Sequence, residues 1–487
     1  MSPFLWCLAL AGALLLVVVI YDLTQRSHAI LRNFPLLGHF RYLLESVGPE
    51  LRQYIVTSND EERPFSRDQR SWIYASSKKQ NNYAGFGTDN DLEHAHANII
   101  IKHSAFPVHE PHEGSPDYDA KYAIACAKVI GEHRGRTKAY RPESVYFISA
   151  MSYGSLSAPA VEAINRGVGM AGGLHNTGEG SICCHHDHGG SLIWQIGTGY
   201  YGCRDAEGKL DIAALAERAA KHDVRLIEIK LSQGAKPGRG GVLPAAKITP
   251  EIAAIRGIPE GKDCISPSGH TAFHDVDSML EVVEAIAAAT GLPVGIKSAV
   301  GETKFWEDLA EAMKSGERGV DFINIDGGEG GTGAAPLVFS DNVSLPFKIG
   351  FRRVRTVFEE AGIADNVVWM GAGRLGLPEQ ATLAFALGCD MVGMAREAML
   401  SIGCIQAQNC HTGHCPSGVA TQNKWLMRGL DPTDKAARMA NYLIALRKET
   451  LWISYACGVK HPSELTMEHF EMIEPGFRSR PVREVFV

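Results

Sequence analysis

Little in this chain would draw it to a polyanion. Lys and Arg number 48 against 55 Asp and Glu, a net charge of −7. Nucleic-acid binders are usually basic, so no nucleic-acid partner is expected. No repeat and no low-complexity tract appears. Long apolar runs are scarce as well, since only one segment could span a bilayer. The cysteines, eleven in all, are odd in number and do not read as a disulfide scaffold in a chain this long. Wholesale disorder is excluded by 45% hydrophobic and 21% charged residues.

What is present is informative. A length of 487 residues fits about three domains, or one large α/β barrel with extensions. The apolar run is Phe4 to Tyr21, without a single charge. No Lys or Arg precedes it, so it lacks the basic start of a cleaved signal peptide. A retained anchor over residues 1–24 is therefore expected. Arg26, His28 and Arg32 follow, opposed only by Asp22. The positive-inside tendency then places the body of the chain in the cytoplasm, in agreement with reduced thiols.

Residues 25–144 are mixed in character and are expected to form a pre-barrel region, packed against the chain beyond residue 144. From residue 145 short β-branched runs alternate with Ala- and Glu-rich stretches. The expected strands are Val145–Ala150, Leu174–Thr177, Leu192–Ile196, Leu226–Lys230, Val294–Lys297, Phe322–Asp326, Val367–Gly371 and Met391–Met394. The expected helices include Pro159–Met170, Ile212–His222, Val276–Thr290, Phe305–Ser315, Pro378–Leu387 and Ala395–Ile402. Eight strands with helices between them predict a parallel (β/α)8 TIM barrel over residues 145–425. A long insertion, Ser232 to Asp275, separates the fourth and fifth strands, and residues 426–487 read as a helical C-terminal extension.

Glycine crowds the turns after the last three strands. The sixth is followed by Asp326 to Gly333, the seventh by Gly371 to Arg374, and the eighth by Gly393 to Arg396. Glycine lets backbone N–H groups approach a phosphate closely, and a helix N-terminus adds a favourable dipole. Late-strand loops are the usual phosphate site of barrels. A phosphorylated cofactor such as FMN is expected there, on Gly331, Thr332, Gly333, Gly373, Arg374, Gly393, Met394 and Ala395. Lys297 ends the fifth strand, where its ammonium can face the barrel mouth and stabilise charge on a reduced flavin. The alternative for Lys297 is a structural salt bridge.

Cys404, Cys410 and Cys415 share one loop. Thiolates so spaced converge on a metal, either a three-iron cluster or a zinc completed by His411 or His414. The run Cys183 to His188 also looks metal-binding, but adjacent residues point in different directions, and a polar loop near the mouth is the plainer reading.

Six segments then match one family in order: SAMSYGSLS (149–157), NTGEGS (176–181), IKLSQGAKPGRGGVLP (229–244), ISPSGH (265–270), DGGEGGTGAAP (326–336) and GCIQAQNCHTGHCPSGVATQ (403–422). The chain resembles the FMN-binding synthase domain of glutamate synthases in a stand-alone form. The resemblance implies FMN beside a [3Fe-4S] cluster on Cys404, Cys410 and Cys415. It implies reductive amination of a 2-oxo acid, with electrons delivered by a donor protein or reductase subunit. Ala150, Met151 and Ser152 would lie along the flavin. Gln233 and Lys236 would stand near flavin and substrate, and Glu179 where ammonia meets substrate. With Lys297, these three form the expected catalytic set.

The departures matter too. The chain opens on an anchor rather than an amidotransferase domain, so ammonia, an amine or a partner is expected to supply nitrogen. Where the large enzymes carry an arginine after strand three, this chain has Tyr200 and Tyr201. Val242 likewise replaces a glutamine, and both changes bear on whether 2-oxoglutarate is the substrate. Two other functions are alternatives. One is an FMN-dependent 2-hydroxy-acid oxidase, which needs no cluster, so the three cysteines argue against it. The other is a membrane-tethered electron-transfer subunit of a larger complex.

Overall fold

The computed structural model describes all residues except 1, 26–28, 53–59, 89, 93–97 and 487. Arg26 and His28, and the side chain of Arg32, lie outside the described residues. The chain forms two compact units, residues 1–70 and 71–487.

The first unit opens with the helix Pro3–Thr24, which carries the expected apolar run. The run is exposed along nearly its whole length, and Asp22 is the helix's one buried side chain. Asp22 Oδ2 accepts the Leu36 N–H at 3.0 Å, and His39 Nε2 lies 2.9 Å from Asp22 Oδ1. Past a short helix, Ala29–Asn33, those bonds tie the helix end to the start of the helix Leu37–Leu51.

The second unit is built on a closed parallel barrel. Its strands are β1 Tyr146–Ile148, β2 Leu174–Asn176, β3 Ser191–Ile196, β4 Val224–Lys230, β5 Val294–Ser298, β6 Phe322–Asp326, β7 Val368–Ala372 and β8 Met391–Met394. They pair in chain order, and β8 closes onto β1 through Val392 opposite Tyr146. All eight expected strands are present, with β6 and β8 at the expected bounds. The main helices include α1 Ala158–Ala171, α2 Ile212–Ala220, α3 Val276–Thr290, α4 Lys304–Met313, α5 Phe347–Glu360, α6 Pro378–Ala386, α7 Arg396–Ser401 and α8 Pro432–Ala456.

Local chemistry starts these helices. Ser157, Asp211 and Asp275 each accept a backbone N–H in the first turn of α1, α2 and α3, satisfying donors the helix leaves open. The helix α8 packs against α1 and α6. Its approach to α1 needs glycine, because a Cβ at Gly167 would come within 2.5 Å of Met439 Cβ. Buried Arg447 of α8 donates to the Ala171 carbonyl at 2.7 Å and to the Gly172 carbonyl, closing the C-terminus of α1. Beyond α8 lies a hairpin, Phe470–Glu474 with Arg478–Pro481, which pairs with Ile99–Ile101. That hairpin is not foreseen by the helical expectation for residues 426–487, which holds for α8.

Cys126 and Ile130 join Phe147, Leu174, Ile193, Leu226, Phe322, Met370 and Met391 in the apolar core of the barrel. Above it lies a polar layer around fully buried Glu228. Asn176 and Gln195 donate to its Oε1 at 2.8 and 2.7 Å, and Asn324 donates to Oε2 at 2.7 Å. These donors come from β2, β3 and β6, so the carboxylate ties strands across the barrel.

Candidate active site at the barrel mouth

Lys297, on β5, is buried beneath the mouth. Its Nζ lies 3.5 Å from Asp326 Oδ2 and 3.5 Å from Ser149 Oγ. Asp326 ends β6, and its Oδ2 also accepts the Gly234 N–H at 2.9 Å. Gly234 must be glycine there, since a Cβ would fall 1.8 Å from the Gly327 carbonyl oxygen. The salt bridge considered for Lys297 is therefore present, and it joins three strand ends at the mouth.

Next to it sits Glu179, pressed between Gly197 and Gly241, where a Cβ would come 2.4 and 2.5 Å from its carboxylate oxygens. Lys230 Nζ donates to Glu179 Oε1 and to Gln233 Oε1, both at 2.8 Å. Burial opposes ionisation of Glu179, but Lys230, Lys236 and Arg256 outweigh it and hold the carboxyl below its usual range. Lys236 is buried, and its Nζ donates to the Gly240 carbonyl at 3.2 Å. Burial, with repulsion from Lys230 and Arg239, pulls it down to about 8 against the pull of Glu179. The structure thus brings Glu179, Gln233 and Lys236 together, and adds Lys230 and Arg256, which sequence reasoning missed. Lys230 carried one usable signal, since it ends β4 and stands in register with Lys297 near the end of β5.

Arg256 carried no local signal. It closes the helix Pro250–Arg256 in the insertion and reaches the Tyr153 carbonyl at 3.0 Å and Ser152 Oγ at 3.3 Å. Its guanidinium lies 5.3 Å from the Tyr201 ring centre, and that of Arg204 lies 5.0 Å from the same ring. The Tyr200–Tyr201 segment has no cation of its own, but the fold supplies two. Tyr200 is buried, and its hydroxyl accepts the Thr271 and Ala272 N–H groups at 3.1 Å.

The three glycine loops converge. A Cβ at Gly373, where φ is +144°, would sit 3.4 Å from Gly327, and one at Gly331 would sit 2.6 Å from Arg396. Arg396 in turn bonds to the Glu329 carbonyl. Arg374 also takes a left-handed φ of 56°. Ala150, Met151 and Ser152 follow β1, and Gly178 packs on them, since a Cβ there would meet Ser152 N at 2.5 Å.

Cys404, Cys410 and Cys415 follow α7 on one loop. Lys247, buried, donates to the Cys410 carbonyl at 2.7 Å and the Ala420 carbonyl at 3.1 Å. Burial opposes ionisation of the Cys415 thiol, but the Ser417 hydroxyl and the backbone N–H groups of Ala420, Ser417 and Val419 hold it below its ordinary value. Burial and the nearby Cys415 raise Cys410, with Lys247 pulling the other way. Cys404 Sγ accepts the Gln406 N–H at 3.4 Å, and its carbonyl accepts the Tyr74 hydroxyl at 2.7 Å. His411 and His414 are exposed.

The run Cys183 to His188 divides. Cys183 Sγ faces His186 Nδ1 at 3.2 Å in the interior, whereas Asp187 pairs with His222 at 2.8 Å. Cys184, His185 and Glu251 bring one ligand atom each within 4.8 Å of one another.

These features define a closed parallel barrel with a candidate active site at the C-terminal ends of its strands, the usual place in such barrels. A family model, the conserved region in glutamate synthase, matches residues 119–460. The chain is 35% identical over 482 residues to the glutamate synthase large subunit-like protein YerD of Bacillus subtilis, covering 93% of this chain and 91% of that one. It is 35% identical to the archaeal glutamate synthase [NADPH] of Archaeoglobus fulgidus, over 63% of this chain and 57% of that one. A glutamate synthase large subunit-like protein of Rhizobium meliloti is 30% identical, over 66% and 73% of the two chains. The protein belongs to the glutamate synthase family and is an enzyme. The chain spans under two thirds of the archaeal protein's length.

Proposed function

We propose that this enzyme is an oxidoreductase of glutamate synthesis or a closely related reaction, reductively aminating a 2-oxo acid with ammonia or an amine. It would use FMN and a [3Fe-4S] cluster, and take electrons from a donor protein or reductase subunit. The observation that carries this reading is the meeting of the late glycine loop with the cysteine loop. A Cβ at Gly333 would lie 3.5 Å from Cys410 Cβ, so two redox groups held there would be neighbours.

The residue types present suit both groups. Three converging glycine loops suit a phosphate, which Gly331, Thr332, Gly333, Gly373, Arg374, Gly393, Met394 and Ala395 would hold. Ala150, Met151, Ser152 and Lys297 would line the flavin ring. Cys415, whose thiol the Ser417 hydroxyl and nearby N–H groups hold below its ordinary value, would ligate iron as the thiolate, with Cys410 and Cys404 as the other ligands. When bound, FMN supplies hydride transfer and the cluster supplies one-electron relay.

The chain's own side chains do the rest. Lys297 keeps a fixed positive charge beneath the mouth, where a preorganised charge acts without reorganisation. Lys230, Lys236 and Arg256 set three cations against the single carboxylate of Glu179, and that surplus suits an acid substrate. Lys236, down at about 8, can hold or release a proton near neutral pH. The helix Pro3–Thr24 would anchor the enzyme, with the body in the cytoplasm.

The test is anaerobic titration of the reduced full-length protein with 2-oxo acids and ammonia. Flavin absorbance should return only when both are present. No return with any 2-oxo acid would sink the reading.

A further inference from the structure

The helix Leu37–Leu51 of the N-terminal unit shows a face that none of the unit's described residues covers. Leu37, Phe40, Leu44, Val47 and Leu51 recur at alternating spacings of three and four, with Leu43 flanking them. That spacing places them on one stripe of an α-helix. Leu37 is 76% exposed, Phe40 63% and Leu44 47%. The other face is polar, with Arg41 and Glu45 paired at 2.8 Å. Phe34, just before the helix, is also 59% exposed. Soluble proteins rarely leave so continuous an apolar strip in water.

Its position identifies what covers it. The helix Pro3–Thr24 is long enough, at about 1.5 Å per residue, to cross the apolar core of a bilayer, and its apolar surface is exposed. Asp22, in its last turn, is buried and bonds Leu36 N–H and His39. The helix Leu37–Leu51 therefore starts beside the end of Pro3–Thr24, with only the short helix Ala29–Asn33 between them in the chain. If the first helix spans a membrane, that point is the headgroup region, where an amphipathic helix lies in the plane with its apolar side down. A charged residue at the end of a spanning helix is also costly unless partnered, which is the service Leu36 and His39 perform.

We infer that Leu37–Leu51 lies flat in the headgroup layer, its apolar stripe in lipid, with the Asp22–His39 latch setting the elbow between spanning and surface helices. The inference rests on reading Pro3–Thr24 as a membrane anchor.

The test places the photoreactive residue p-benzoylphenylalanine at Phe40 or Leu44, and at Arg41 or Glu45 for comparison. The full-length chain is reconstituted in phosphatidylcholine vesicles and illuminated. Lipid adducts several-fold more abundant at 40 and 44 than at 41 and 45 are expected. Adducts at 40 and 44 to a second copy, or to another part of the chain, would overturn the inference, as would equal lipid labelling at all four positions. Two independent stripe positions guard against one variant folding poorly. Alkaline carbonate extraction of the same vesicles separates the two readings. Protein that washes off defeats the anchor and the inference together. Protein that stays but labels protein at 40 and 44 defeats the inference alone.

Discussion

Lys297 and Asp326 stand 3.5 Å apart on neighbouring strand ends, and both are nearly closed to water. The pair sits where the first glycine loop leaves β6, so the same lysine is a structural ion and, on the proposed function, a positive charge beside the flavin. Removing it tests both roles. Lys297→Met should slow reoxidation by substrate by about 10²–10³, the usual effect of losing a positioned charge in a dry site. It should also lower stability, because Asp326 is left buried without its partner. Flavin content, melting temperature and stopped-flow reoxidation on one preparation separate the effects. Normal reoxidation in a well-folded variant would remove Lys297 from the chemistry.

Lys236 gives a pH signature. Its ammonium loses its proton at about 8, and Glu179 is the neighbour that holds the proton on. Glu179→Gln should therefore shift the titration to lower pH, and Lys236→Met should abolish it. Because the folded value lies below that of a free lysine, the charged form costs stability below pH 8, and that cost is relieved as pH rises from about 8 towards about 10.4. Profiles of turnover against pH, with reductive-methylation NMR of the lysines, read the shift. An unmoved inflection in Glu179→Gln would break the assignment.

The cysteine loop should behave as a separable part. Cys410→Ser should lose iron and keep most flavin, because the glycine loops hold the phosphate independently. Lys247→Met removes the bonds to the Cys410 and Ala420 carbonyls and should lower iron retention without touching flavin. Iron and flavin assays on anaerobically purified protein decide this. Zinc without iron in the parent protein would rule out the cluster.

Acid should unfold this barrel early. His175 is fully buried on β2, and burial pulls its imidazole down to about 3. His186, also buried, is shifted the same way. Between about pH 6.5 and 3 the unfolded chain takes up protons that the folded chain refuses. Stability then falls with falling pH, by about 1.4 kcal/mol per unit for each such histidine. Urea unfolding at pH 7 and 5.5 should show the loss, and His175→Gln should reduce the slope. A slope unchanged by the substitution would assign the acid sensitivity elsewhere.

Sequence pattern alone was enough for the strands, because most are short apolar runs with β-branched residues closed by a turn, and such signals are local. Phe322–Asp326, Met391–Met394 and Val276–Thr290 lie in the structure where the pattern puts them. The glycine loops and the uncharged N-terminal run were legible for the same reason. The helix α5 was not, since Phe347 to Glu360 mixes Gly350 with aromatic and β-branched residues, whose local preferences favour strand or turn as much as helix. The site was only half legible. Glu179, Gln233, Lys236 and Lys297 stand out by motif, but their partners do not. Arg256 reaches Ser152 from over a hundred residues along the chain, and Asp326 meets Lys297 from the neighbouring strand. Such pairings arise from where the closed barrel and its long insertion carry the backbone, and no local periodicity encodes that distance.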